Sequence, residues 1–509
     1  MDRNVALRCL AAALGIGIVG QGLLYAVGVG INVLLLTAGV LLAALAVSGG
    51  GRRMDRLDAW VPVAAVVLGA ATATRSDSLT ILLDVVTVAS LVAASMAAFA
   101  GAAVTRRSAL AISGLGMVVI GWALVGLLRL AALVRRPPGT AGVGRRLPPQ
   151  ATRIGRGLLI AVPVLVVFGA LFASADAIFA SVAANLFGWE VDLGQLPERS
   201  ALAFGLVWIA AGLLAVAGGI DGFTAGEGTA AAPAMQSLGA AVAEPTPAFP
   251  RLGATEALTV LVAVVVLFAL FVVLQLAYLF GGLDTLAAGG ITYSSYARRG
   301  FFELVAATGL AAGLVVVLHS VVEHRTRAFV ASALALAALN VAILASAALR
   351  LRLYQDAYGW TELRFYIYAT IAWMGIGIAG GMVLLARDRL RWLPHLLTIS
   401  AIVVLVGVNV VGAQRHVADE NVARLLDPSL VPADGRGGLD VDYALWLGDD
   451  GVPALVRALP AIPGHERETV MAELRQRWDE LNRPELTAWP AWNLARERAR
   501  EALRPLFGR

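Results

Sequence analysis

A single cysteine, Cys9, occurs in the 509 residues of the chain. One thiol makes no disulfide framework, no cysteine metal site and no redox pair, and it selects no compartment. Charge is scarce as well. Asp, Glu, Lys and Arg make up 15% of the chain, against about 25% in a soluble globular protein. Three catalytic patterns are missing: the phosphate-cradling G-x-x-x-x-G-K-[ST], the zinc-protease H-E-x-x-H and the nucleophile elbow G-x-S-x-G. Their absence removes P-loop ATPases and two large classes of hydrolase. No catalytic, cofactor-binding or metal-binding residue is assigned.

What the chain has instead is hydrocarbon. Hydrophobic residues account for 59%, gathered in runs of about 20 residues, enough to cross a ~30 Å hydrocarbon core as helices. Lipid offers the backbone no hydrogen bonds, so such runs must be helical or sit in a closed barrel. The uninterrupted Ala/Leu/Val runs do not alternate as barrel strands do. The expected class is all-α: a polytopic transmembrane bundle of about 12 spans in the cell membrane, with a small C-terminal α-helical soluble domain. The net charge of +5 is no sign of nucleic acid, because basic residues collect in short loops where they set topology.

The expected division is as follows. Residues 1–134 hold five transmembrane helices, with a turn at Gly28 to Gly30. Residues 135–156 form a basic, proline-containing loop. Residues 157–220 hold spans at 157–175 and 201–219, around an interfacial segment. Residues 221–252 form a flexible Gly/Ala/Pro-rich linker. Residues 253–412 hold spans at 255–280, 301–322, 329–348, 363–386 and 394–412. Residues 413–509 form the tail. In the tail, Val470, Leu474, Trp478 and Leu481 recur at helical spacing, and Asp449, Asp450 and Pro453 mark a helix start. Residues 493–504 have the pattern of a surface helix, and nothing in the tail matches a kinase core.

Two polar stretches stand out. The first is residues 291–304, I-T-Y-S-S-Y-A-R-R-G-F-F-E-L; the second is residues 350–364, R-L-R-L-Y-Q-D-A-Y-G-W-T-E-L-R. Both should meet the tail on one membrane face, because two crossings return a chain to the side it left. Glu303 lies one turn into an apolar helix, just after Arg298 and Arg299, and needs a partner or a proton there. An ion pair with Arg298, Arg299, Arg350 or Arg364 that fixes helix packing is the plainer reading. A substrate or proton site is the other. Arg350, Tyr354 and Tyr358 fall on one helical face, as interfacial anchors or as the lining of a headgroup pocket. His319 and Glu323 have i, i+4 spacing, but two ligands make no metal site. Asp84 and Arg129 are further charges inside apolar runs.

Several segments resemble a bacterial membrane-protein family, domain of unknown function 4173. They are T-E-A-L from Thr255, Q-L-A-Y-L-F-G-G from Gln275, Y-A-R-R-G-F-F-E-L from Tyr296 and R-L-Y-x-x-A-Y-G-x-T-x-L-R from Arg352. D-V-D-Y-A-L-W-L-G-D-D-G-V-P-A-L from Asp440 and W-P-A-W-N-L-A-R from Trp489 fit as well. The resemblance runs from about residue 155 onward and implies architecture, with no established activity. The expected function is a non-enzymatic docking or sensing scaffold whose partners are the lipid bilayer and a protein at the tail. A small-solute transporter or channel built on Glu303 and a lipid- or envelope-modifying enzyme are the alternatives. Arginine counts after residue 135 place the tail outside the cell, whereas Arg52, Arg53, Arg56, Arg106 and Arg107 argue for the reverse.

Overall fold

The computed structural model describes residues 1, 3–49, 54–106, 109–134, 196–219, 253–280, 301–322, 325–432 and 435–508. Among them the chain is helical, with short 3-10 turns and no strand. The first helices are α1 (Arg3–Leu24), α2 (Ile31–Val47), α3 (Trp60–Ala71), α4 (Ser78–Phe99), α5 (Ala109–Val134) and α6 (Leu196–Ala217). A second set comprises α7 (Ala254–Phe280), α8 (Phe301–Val321), α9 (Arg327–Tyr358), α10 (Glu362–Ala386) and α11 (Leu393–Val411). The C-terminal helices are α12 (Ala413–Leu426), α13 (Val441–Trp446), α14 (Gly448–Ala458), α15 (Gly464–Leu481) and α16 (Leu494–Phe507). The expected span at 157–175, the basic loop and the linker lie outside the described residues.

Seven helices among the described residues are long and apolar enough to cross a membrane. Small residues let them approach closely, as membrane helices require. A Cβ at Gly17 would stand 2.2 Å from Val207 Cγ2 and 2.8 Å from the Ala203 carbonyl, so α1 and α6 meet at that glycine. Gly126 and Gly212 do the same for α5 and α6, at 2.4 Å. One apolar core joins α1–α6, and a second joins α7–α10. Helix α11 bridges the sets, with Ile402, Leu405 and Val406 packed on the first core.

Polar caps fix where helices start. Asp77 accepts from Leu79 N at 3.0 Å to start α4, and Thr361 accepts from Arg364 N at 3.3 Å to start α10. Gly359 (φ +80°) stops α9 and Gly412 (φ +76°) stops α11 in left-handed conformations that glycine adopts freely. Helix α9 is a single 32-residue element. The second polar stretch therefore begins as its last turns, beyond the apolar span at 329–348, and Arg350, Tyr354 and Tyr358 share the helix as their spacing suggests.

The ends of α9 and α11, the starts of α4 and α10, and the turn between α1 and α2 face the C-terminal helices. The chain starts at the opposite end, where Gly218 lies beside Val5 and Val47. Arg56 lies at the starting end too, close in sequence to Trp60, which shares a cavity wall with His395.

Candidate docking site

The polar groups at the docking end are organised around one loop, residues 72–77, between α3 and α4. Arg75 points out of it into a buried niche. Its Nη1 lies 3.3 Å from Asp450 Oδ1, with side chains 6% and 4% exposed. Its Nε donates to the Asn409 carbonyl at 2.6 Å and its Nη2 to the Val410 carbonyl at 2.7 Å. Those carbonyls belong to the last turn of α11, which has no helical donors left and carries the negative end of the helix dipole. Asp450 sits in the first turn of α14, the positive end of another helix. Its Oδ2 accepts from Ser76 N at 2.8 Å and Ser76 Oγ at 3.0 Å. Every polar atom of this pair thus has work before any ligand arrives. Burial pushes the Arg75 guanidinium down, and Asp450 pulls it back.

A second clamp comes from the residues before α16. Asn493 Oδ1 accepts from Ala495 N at 3.0 Å, which starts α16. Its Nδ2 donates to the Thr72 carbonyl at 3.1 Å and the Arg75 carbonyl at 2.7 Å. Leu494 N donates to Ala73 O at 2.8 Å, Ile31 N to Trp492 O at 3.0 Å and Gly28 N to Glu485 O at 3.0 Å. Arg496, also buried, donates to the carbonyls of Ala491 and Val29. Behind it, Asp449 accepts from Arg477 Nε at 2.6 Å. Burial pushes Asp449 up, and Arg477 opposes that.

A third contact uses the second polar stretch. Trp360 and Asn421 exchange two hydrogen bonds of 2.8 and 2.9 Å. Arg424 Nη1 donates to the Asp356 carbonyl at 2.7 Å, and Glu362 N to the Tyr443 hydroxyl at 2.8 Å. Trp360 and Phe365 also join the apolar core built by Val417, Leu447, Leu455, Leu474 and Leu503. The C-terminal helices are therefore packed on the bundle through apolar side chains as well as hydrogen bonds.

Of the expected polar cluster, the structure brings three residues together. The Tyr354 and Tyr358 rings are 4.9 Å apart, and the Arg364 guanidinium lies 4.4 Å over Tyr354. Arg364 also donates to the Gly359 carbonyl. Arg350 is buried one turn before Tyr354. Glu303 falls in the first turn of α8, and its side chain is outside the described residues, as are Arg298, Arg299, Glu323 and His324. Asp84 meets Asn409, whose Nδ2 donates to Asp84 Oδ1 at 2.9 Å. Above it, the Tyr366 and Thr80 hydroxyls both donate to Asp77.

The central docking residues, Arg75, Asn493 and Arg496, were not foreseen. The run R-S-D-S at residue 75 looks like an ordinary end to a short span. Asn493 just before a helical run is a capping signal, but a cap does not announce that its amide also grips a distant loop.

These features define a polytopic α-helical membrane protein whose C-terminal helices are locked onto one end of its bundle. The chain belongs to the family described as domain of unknown function (DUF4153), whose model matches residues 63–458. The matched number is 4153, where the signature segments suggest 4173. The match begins inside α3, well before residue 155, and so takes in the Arg75 loop as well as Asp450. No curated protein and no solved structure matches the chain.

Proposed function

We propose that the protein is a non-enzymatic membrane scaffold. Its bundle holds residues 413–509 as a soluble helical domain, and that domain offers its outer face to a protein partner. One observation carries the reading: the Arg75–Asp450 junction fixes the domain rigidly while using up its polar groups on internal bonds. Leu426, Leu430 and Trp446 lie on the outside of the domain, each more than half exposed. The domain is extracytoplasmic in this reading, because exposed Arg56, Arg325, Arg327, Arg387, Arg389 and Arg391 collect at the opposite end. Arg56, one of the first-half arginines that argue for the reverse, is thus on their side; the side chains of Arg52, Arg53, Arg106 and Arg107 lie outside the described residues.

The test uses the purified protein in proteoliposomes beside native membranes. A scaffold carries no solute flux, and Asp450→Asn loosens the domain, so that a protease cuts near residue 412. It also loses a crosslink formed from a photoreactive residue at Trp446 in native membranes. A solute flux or a lipid turnover that Glu303→Gln abolishes, with domain packing intact, overturns the reading in favour of transport or catalysis.

A further inference from the structure

A cavity of about 830 Å³ runs between α4, α10 and α11, at the seam of the two helix sets. It extends from Leu79 and Tyr366 at the docking end to Ala94 and His395 at the other. Fifteen residues of α4 separate Leu79 from Ala94, about 22 Å of helix, most of a ~30 Å hydrocarbon core. Leu79, Leu83 and Ile399 line it and are 46%, 41% and 42% exposed, so it opens onto the surface that faces lipid. Its walls are mainly apolar, the Ser90 and Thr398 hydroxyls being turned to carbonyls of their own helices, and a water needs two to four polar partners to stay.

The two ends differ. At the docking end Tyr366 is engaged with Asp77, which Thr80 also bonds at 2.6 Å. At the other end both ring nitrogens of His395 are buried without a hydrogen-bond partner among the described residues. Trp60 Nε1 makes a long bond, 3.4 Å, to Thr105 Oγ1. Trp392 packs 5.1 Å from the His395 ring, and Trp60 lines the cavity at the same end, where interfacial tryptophans collect. Arg56 and Arg391, each four residues before Trp60 and His395, are exposed. The open hydrogen-bonding capacity and the cations are therefore at the same end of an apolar slot.

We propose that this groove holds an acyl chain of an anionic glycerophospholipid, with the phosphate at the His395 end. The charge complementarity selects an anionic head, because basic pockets between membrane helices recruit such lipids. The chain fills the half of the slot in its own leaflet, where Ser90, Ala94 and Thr398 form the walls.

Native mass spectrometry of the full chain in detergent, offered phosphatidylglycerol or phosphatidylcholine, tests this. One phosphatidylglycerol should stay bound, and phosphatidylcholine should not. Each of Arg56→Gln and Arg391→Gln should weaken retention about fivefold, the worth of one surface cation against an anionic lipid. Ala401→Trp, which fills the slot, should abolish retention. If that variant fails to fold, the two exposed arginine variants still decide. A photoreactive residue at Ser90 should take up the retained lipid, and one at Leu82, outside the slot, should not. Equal retention of both lipids, retention of neither, or a crosslink from Ser90 to this chain or a second copy overturns the proposal.

Discussion

Arg75 and Asp450 are 375 positions apart in the chain and 3.3 Å apart in space. Both are almost fully buried, so solvent does little to screen them. Removing one partner of such a pair strands the other charge, at a cost of about 3–5 kcal/mol. Asp450→Asn should therefore lower the thermal midpoint of the purified protein sharply, and Arg75→Gln should do so by a similar amount. The double variant should recover part of the loss, because no charge is left stranded. Additive losses in that cycle would mean that the two residues act separately.

Asn493 allows its two roles to be separated. Asn493→Ser keeps a capping oxygen for α16 but gives up the amide that reaches Thr72 O and Arg75 O. Asn493→Ala loses both. The cap alone is worth about 0.5–2 kcal/mol, so the alanine variant should be the less stable by about that amount. Both should raise hydrogen exchange in the 72–77 loop to the same extent. If the serine variant leaves that loop protected, Asn493 is only a cap.

Much of the bundle was legible because hydropathy is a local property. The turn at Gly28 to Gly30 is found, and the apolar runs at 363–386 and 394–412 are helices α10 and α11 to within a residue at each end. Helix α9 runs on through the polar residues from Arg350 to Tyr358, as their four-residue spacing suggests, and Arg424 takes up carbonyls of its last turn. Pairing between distant residues was not legible. Nothing near Arg75 signals a carboxylate 375 positions away, and Asp450 looked like a helix-dipole residue, which it also is. Arg496 shows the same blindness: an alternating Arg/Glu helix has the pattern of a surface helix, yet one of its arginines is buried against Val29.

The docking end and the starting end should label from opposite sides of the membrane. Cys9 is fully buried, so cysteine chemistry has a quiet background. Exposed Ser429→Cys and Thr487→Cys should react with a membrane-impermeant maleimide in intact cells. Arg56→Cys and Arg391→Cys should react only after permeabilisation. The reverse pattern would turn the protein over in the membrane without changing its packing. A mixed pattern within either pair would break the fold described above.

Asp449 gives a pH dependence with a definite sign. Burial raises its folded-state value above the ordinary aspartate value of about 3.9. The folded protein then binds this proton more tightly than the unfolded chain does, so protonation favours folding. The group's contribution is flat above its folded-state value. It rises as pH falls through that value and levels off below about 3.9. The stability of wild type relative to Asp449→Asn should therefore increase on acidification from pH 7 towards 4. A relative stability that falls over that window would mean that Arg477 outweighs burial.

Gly30 makes the most local test of the clamp. A Cβ there would stand 2.4 Å from the Trp492 carbonyl oxygen and 2.6 Å from the carbonyl carbon and oxygen of Ala491. All three are backbone atoms, so no rotamer change relieves the clash. Either the α1–α2 turn or the segment before α16 must move, and the Ile31 N to Trp492 O bond of 3.0 Å goes with it. Asn32, which supports this turn through the Leu23 and Gly28 carbonyls, ties it to α1 and α2, so the segment before α16 should yield. Gly30→Ala should raise hydrogen exchange at residues 488–496 and expose the chain there to protease, with the bundle helices unchanged. Gly22→Ala is the control. Nothing lies within 4 Å of a Cβ at that position in α1, and alanine favours a helix over glycine by up to about 1 kcal/mol. It should leave the clamp intact and the protein no less stable. If Gly30→Ala behaves like that control, the close approach of the turn to Ala491 and Trp492 does not hold the C-terminal helices in place.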